Sequence, residues 1–161
     1  MMDTLKKLKK QRAELDKKIY MLEHTECPLK DGDEFWYVDQ FGNIEHRYFG
    51  NHAWMKEAMS QGHFFFSEKE AQLESKRRNM LHQIKIFRDK CNGEWEADFE
   101  DFDRKYFIIF NADSGHSVVT YQNFYEPFNI FGYFKNESDV IKAIDLFGDE
   151  IKKLFVDCEC D

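Results

Sequence analysis

GHFFFSEKEAQLE, residues Gly62–Glu74, decides the fold, because the chain says something similar again in FGYFKNESDVIKAI, residues Phe131–Ile144. Each stretch passes from a glycine through a short aromatic segment to a small polar residue, an acidic residue and a helical apolar pattern. In the first, a Ser67 hydroxyl can accept from the free N–H groups of an opening helical turn, and Glu70 is spaced to reach back to the Ser67 amide. In the second, Asn136 takes the cap position and Asp139 stands where Glu70 stood. The helices expected behind these caps carry apolar faces at Leu73, Met80, Ile84 and Phe87, and at Val140, Ile144, Phe147, Ile151 and Leu154. Asn92 and Gly93 end the first helix, and Gly148 is expected to kink or divide the second.

Working outward, each copy is preceded by a hairpin pattern. EFWYVDQFGNIEHRYF (Glu34–Phe49) places aromatic and β-branched runs around Phe41, Gly42 and Asn43, and KYFIIFNADSGHSVVTYQ (Lys105–Gln122) turns through Asp113, Ser114 and Gly115. GNHAWMKEAMSQG (Gly50–Gly62) reads as a short helical insertion with Trp54, Met55 and Met59 as its apolar contacts. Phe64–Phe66 and Gly132–Lys135 are short strands, and NFYEPFNI (Asn123–Ile130) is a connector.

Before all of this, Leu5, Leu8, Arg12, Leu15, Ile19 and Leu22 recur at alternating steps of three and four, a heptad seam with one polar interruption. The helix is expected from Met1 to about His24, broken by Cys27 and Pro28. It either packs on its own domain or pairs two chains through residues 5–22 as a short coiled coil, a homodimer. The fold expected is therefore α+β: an N-terminal helix in residues 1–26, then two repeated hairpin–strand–helix units in residues 27–93 and 94–161.

Composition agrees with a folded domain. Hydrophobic residues make up 42% of the 161, with 17 Phe, and 2 Pro and 8 Gly leave little room for long linkers. The basic start MMDTLKKLKKQR is not followed by an apolar stretch, and no apolar run approaches the ~20 residues that span a bilayer. The expectation is a cytoplasmic protein with reduced thiols and no membrane contact. Cys158 and Cys160, with Cys27 or Cys91, match no common zinc spacing, so neither metal nor cofactor is expected.

The net charge of −8 is unevenly placed: residues 1–30 carry eight Lys/Arg and five Asp/Glu, leaving −11 on the rest. Two candidate surfaces follow. GEWEADFEDFD (Gly93–Asp103) holds Glu94, Glu96, Asp98, Glu100, Asp101 and Asp103, with Trp95, Phe99 and Phe102 between them. If extended, alternate residues would share a face about 6.6–6.8 Å apart. Such a row could occupy part of a basic channel made for phosphates, which advance about 3.4 Å per nucleotide. A partner protein is the first candidate, with Trp95 adding contact area; a solvated loop with inward aromatics is the plainer reading. The second surface is the basic helix, where Lys6, Lys9, Lys10, Arg12 and Lys17 could touch nucleic acid.

No nucleophile elbow, P-loop or paired-histidine metal motif is present. His46 and His116 sit near the two hairpins, and the Asp31/Asp33 and Asp101/Asp103 pairs are better explained by turn chemistry than by a cation. No catalytic residue is assigned.

Ser67-Glu68-Lys69-Glu70-Ala71 and the closing Phe147–Leu154 stretch FGDEIKKL resemble a class of small proteins from phages and prophages of Firmicutes-type bacteria. The resemblance covers about residues 32–155; residues 1–25 and 50–62 fall outside it. It implies a bacterial host cell and a protein that blocks a host defence complex, anti-CRISPR proteins being the clearest case. It supplies no catalytic residues.

Overall fold

The computed structural model describes residues 2–25, 29–50, 52–123 and 128–159. Mixed α and β elements follow in the expected order. Helix α1 is Met2–Thr25, strands β1 and β2 are Glu34–Val38 and Ile44–Tyr48, and α2 is Ala53–Ser60. A two-residue strand β3, Phe64–Phe65, leads into α3, Glu68–Asn92. Strands β4, Lys105–Asn111, and β5, His116–Gln122, precede α4, Glu137–Ile151, which widens into a π-helical turn at Lys152–Val156. No described helix is long and apolar enough to cross a membrane.

The repeat is real at the level of backbone register. In the first copy a three-stranded antiparallel sheet has order β2-β1-β3, with Trp36 opposite Phe65. In the second, β4 pairs with β5, and Tyr106 exchanges backbone hydrogen bonds with Phe134 at 3.0 and 2.7 Å. Counting back from the caps Ser67 and Asn136, Phe65 and Phe134 hold equivalent places. The expected second short strand over Gly132–Lys135 is thus reduced to one bridge at Phe134.

The hairpin turns are set by side chains that imitate the backbone. The Asp39 carboxylate accepts from the amides of Phe41 and Asn43 at 2.7 and 2.8 Å and from the Asn43 carboxamide at 2.9 Å. Asn111 does the same at the other turn, accepting from Asp113 at 2.9 Å.

The caps diverge. Ser67 Oγ accepts from the Glu70 amide at 3.2 Å, as its spacing requires. Glu70, however, accepts from the Phe66 amide at 3.1 Å rather than from Ser67. Asn136 stands at the N-cap of α4 in extended backbone, yet its carboxamide makes no bond to the helix amides. It donates instead to the Asp139 carboxylate at 3.0 Å, which also takes Lys142 at 2.8 Å. Lys142 first, then Asn136, hold the Asp139 carboxyl below its usual range.

Gly148 neither kinks nor divides α4. A Cβ there would lie 3.3 Å from Ile144 of the same helix and at an ordinary contact distance of 3.9 Å from Ser117 on β5. The change of winding comes later, at Lys152, where Arg77 of α3 donates to the Leu154 carbonyl at 2.8 Å.

By compactness the chain forms two units. One unit comprises Met1–Glu34 and Arg47–His63; the other comprises Phe35–His46 and Phe64–Asp161. In the first, Gly32 and Phe49 are joined through the backbone at 2.8 Å, Arg47 lies 5.7 Å over Trp54, and Met55 is buried in α2. The second holds most of the first hairpin, β3, α3 and the whole second copy. Its core takes Met80 and Ile84 from α3, Ile108 from β4, Phe131 and Phe134 from the connection, and Val140, Ala143, Ile151 and Leu154 from the C-terminal helix. Burying each large apolar side chain contributes about 1.5–3 kcal/mol. Phe87 closes the set edge-on to Phe147 at 5.9 Å.

Candidate interaction surface

The acidic segment begins where α3 stops. Gly93 ends the helix with φ +60°, its amide donating to Asp89 at 3.0 Å, and the Trp95 amide donates to Asn92 at 3.1 Å. From Glu94 to Arg104 no residue lies in a strand, and residues 99–103 bend. Asp98 accepts from the Glu100 amide at 2.8 Å and Asp101 from the Asp103 amide at 2.9 Å, two turns in succession. The regular carboxylate row of an extended segment does not continue through residues 98–103, because aspartates two residues before a free amide fold back on it.

What fixes these turns is Lys105. Its side chain is fully buried at the start of β4. The ammonium group is held by the Asp101 carboxylate and donates to the Asp101 carbonyl at 3.2 Å, with the Phe99 ring 5.6 Å away. Phe99 meets Tyr133 edge-on at 5.1 Å, and Tyr133 meets Phe107 at 5.5 Å. A buried ammonium must be neutralised and hydrogen-bonded, so Lys105 holds Asp101 in place. The hydrogen bond from Lys105 keeps the Asp101 carboxyl below the ordinary carboxylate range.

The predicted site residues therefore separate. Asp101 serves the fold, half exposed but tied to Lys105. Glu94, Glu96, Asp98, Glu100 and Asp103 are exposed or, for Asp103, exposed at the mouth of a shallow pocket with Trp95, Arg104 and Lys135. Of the aromatics, Phe99 turns inward, Trp95 is half-buried, and Phe102 is 77% exposed.

Trp95 and Glu96 also line a groove of about 570 Å³ with Arg88, Asn92, Gly132 and Tyr133. Its walls are built by residues that the sequence did not single out. Arg88 donates to the Phe131 carbonyl at 3.1 Å and pairs with Asp89 at 2.7 Å. Asn92 donates to the Tyr133 carbonyl at 2.8 Å and accepts from the Lys135 amide at 3.0 Å. Asn129 donates to the Ile108 carbonyl at 3.0 Å. Asn92, which the sequence marks as a helix stop, also pairs with the backbone on either side of the Phe134 bridge. Arg88 and Asn129 left no local signal, since their partners lie 43 and 21 positions away.

The alternative set on α1 lies open. Lys6, Lys9, Lys10, Arg12 and Lys17 are all exposed, and Arg12 lies 3.7 Å from Asp16 on the same helix. Among the described residues of the seam, Leu5, Leu8, Leu15 and Ile19 are exposed as well. His46 stacks near Trp36 at 4.7 Å, and His116 starts β5 opposite Asn111. Asp33 accepts from the Lys30 amide at 2.6 Å, a turn contact. Among the described residues no group of three His, Cys, Asp or Glu side chains is placed to hold a metal. Cys158 takes Arg77 at 3.2 Å; Cys27, Pro28 and Cys160 lie outside the described residues.

Comparison with protein-family models, with curated proteins and with solved structures finds no match to the chain.

Proposed function

We propose that the chain is a non-enzymatic phage accessory protein that binds a basic protein surface through residues 94–103. Its target on this reading is a host defence complex in the bacterial cytoplasm, such as a CRISPR effector. The observation that carries it is a fixed acidic turn: Glu94, Glu96, Asp98, Glu100 and Asp103 face solvent beside an exposed Phe102, while Lys105 and Phe99 anchor the same turn from within. A pre-formed loop binds with less ordering cost than a flexible one. Carboxylates ranged around an aromatic complement the lysines and arginines of a nucleic-acid channel. The defence target takes its support from the resemblance to phage proteins.

The test uses the full chain and a Glu94→Ala/Glu96→Ala/Asp98→Ala/Glu100→Ala variant, which leaves Asp101 in place. Both are immobilised and exposed to nuclease-treated lysate of a Gram-positive host, and any retained complex is purified and titrated against each. The expected result is a defence nuclease bound by the parent, inhibited in cleavage, and lost with the variant. Equal affinity for parent and variant would overturn the acidic site.

A second reading, nucleic-acid binding by α1, is favoured by the exposure of Lys6, Lys9, Lys10, Arg12 and Lys17. It calls for retention that vanishes on nuclease treatment and falls steeply with salt.

A further inference from the structure

In α1, Leu5, Leu8, Leu15 and Ile19 are 55, 57, 59 and 46% exposed, although they form a regular seam. Most helical stability in proteins comes from covering such a face. The seam assigns positions a to Leu5, Arg12 and Ile19 and positions d to Leu8, Leu15 and Leu22. The flanking e positions are Lys9, Asp16 and Glu23, and the g positions are Thr4, Gln11, Lys18 and Thr25.

We infer that α1 pairs with α1 of a second copy of this chain in antiparallel orientation. Charge decides both the occupant and the direction. With all six layers in register, Leu5 faces Leu22, Leu8 faces Ile19 and Arg12 faces Leu15 of the second copy. Antiparallel helices bring e against e, which sets Lys9 beside Asp16 of the second copy, about 3 Å apart along the axis. Arg12 lies on that same side, already 3.7 Å from its own Asp16, and meets the second copy's Asp16 as well. Symmetry repeats these contacts, so each aspartate lies between a lysine and an arginine, in the order Lys, Asp, Arg, Arg, Asp, Lys along the middle of the pair. A parallel pair would instead stack Arg12 on Arg12 in one layer and leave Lys18 with Glu23 as its favourable flanking contact. A single polar a residue is a known means of fixing orientation. The pairing uses Lys9 and Arg12 and leaves Lys6, Lys10 and Lys17 at positions b and f, facing away from the seam.

Sedimentation equilibrium of the full chain at low salt tests this over a wide concentration range. The expected mass approaches twice 19.5 kDa at high concentration. Leu8→Asp/Leu15→Asp should hold the chain at the monomer mass. Because that variant could also unwind α1, the charge variants are decisive. Asp16→Lys should raise the dissociation constant about tenfold or more, by turning four attractions into repulsions, whereas Lys18→Glu should leave it nearly unchanged. Lys9→Glu/Arg12→Glu added to Asp16→Lys should restore association. A monomer at every concentration would overturn the proposal. So would sensitivity to Lys18→Glu in place of Asp16→Lys, or association indifferent to all of these changes.

Discussion

Phe35 and Lys105 hold the same place in two copies of one plan, and both are fully buried. Phe35 is the second residue of β1 and Lys105 the first of β4, each one residue before the position that pairs with Phe65 or Phe134. In the first copy the place is filled by aromatic stacking: Phe35 lies 4.0 Å from Phe64, rings 14° apart. In the second it is filled by an ammonium that requires a carboxylate. The backbone is indifferent to the choice, but the surroundings are not. A phenylalanine asks for another apolar face, whereas a buried lysine recruits Asp101, and with it the turns of residues 98–103. The acidic loop of residues 98–103 thus belongs to the copy whose core carries a charge.

The largest effect that sharpens this contrast is expected from Lys105→Ala, which leaves a cavity and releases Asp101. Chemical denaturation should show a loss of about 3 kcal/mol. Lys105→Phe imports the other copy's answer. It should keep more of the stability than alanine does, yet hydrogen exchange at the Glu100 and Asp103 amides should rise as the turns loosen. If those amides stay protected in Lys105→Phe, the loop does not depend on the lysine and the contrast fails.

Next comes the junction between the copies. Gly132 has φ +72°, and a Cβ on it would collide with the Arg88 guanidinium. Gly132→Ala should cost about 1–2 kcal/mol from backbone conformation alone. Adding Arg88→Ala removes the collision but not the left-handed backbone, so a partial rescue in the melting temperature separates the two causes. Full rescue would mean that φ contributes little.

The caps differ more quietly. Ser67→Ala should cost about 1 kcal/mol, since its hydroxyl holds a helix amide. Asn136→Ala should cost less in thermal unfolding, because its side chain serves Asp139 and not the backbone. Equal costs would mean that the second cap works through its carboxamide after all.

How much of this was legible follows from how local each determinant is. The capped helices, the hairpins and the order of elements were readable because serine, glycine and apolar spacing act within a few residues. Even there, the Glu70 acceptor was placed one residue off, because Phe66 and Ser67 offer neighbouring amides and only the tertiary path chooses between them. The acidic segment was legible as composition but not as shape. Its turns depend on Lys105, and nothing in the residue itself announces that a lysine will be buried. The Arg88 and Asn129 contacts were illegible because both join backbone carbonyls far along the chain. The seam of α1 is visible in the spacing; the exposure of Leu5, Leu8, Leu15 and Ile19 is not.

The smallest effect concerns acid, and it again sets one copy against the other. Asp139 sits in the first turn of α4, largely buried, with its carboxyl held below its usual range by Lys142 and Asn136. The sign follows from which state binds the proton more tightly. The unfolded chain protonates this carboxyl near pH 4, and the folded chain only at lower pH. Its contribution is therefore complete above about pH 5 and is lost as the pH falls through the lower folded value. Urea midpoints measured from pH 7 down to pH 3 should fall below about pH 4, and Asp139→Asn should flatten part of that fall. Asp101 and Asp39 are shifted the same way, so each contributes to the remaining slope. Asp101 depends on Lys105, so Lys105→Phe should flatten a different part, and combining it with Asp139→Asn should add the two effects. An unchanged slope in Asp139→Asn would show that the carboxylate that replaces a backbone cap in the second copy is paired no better in the folded chain than in water.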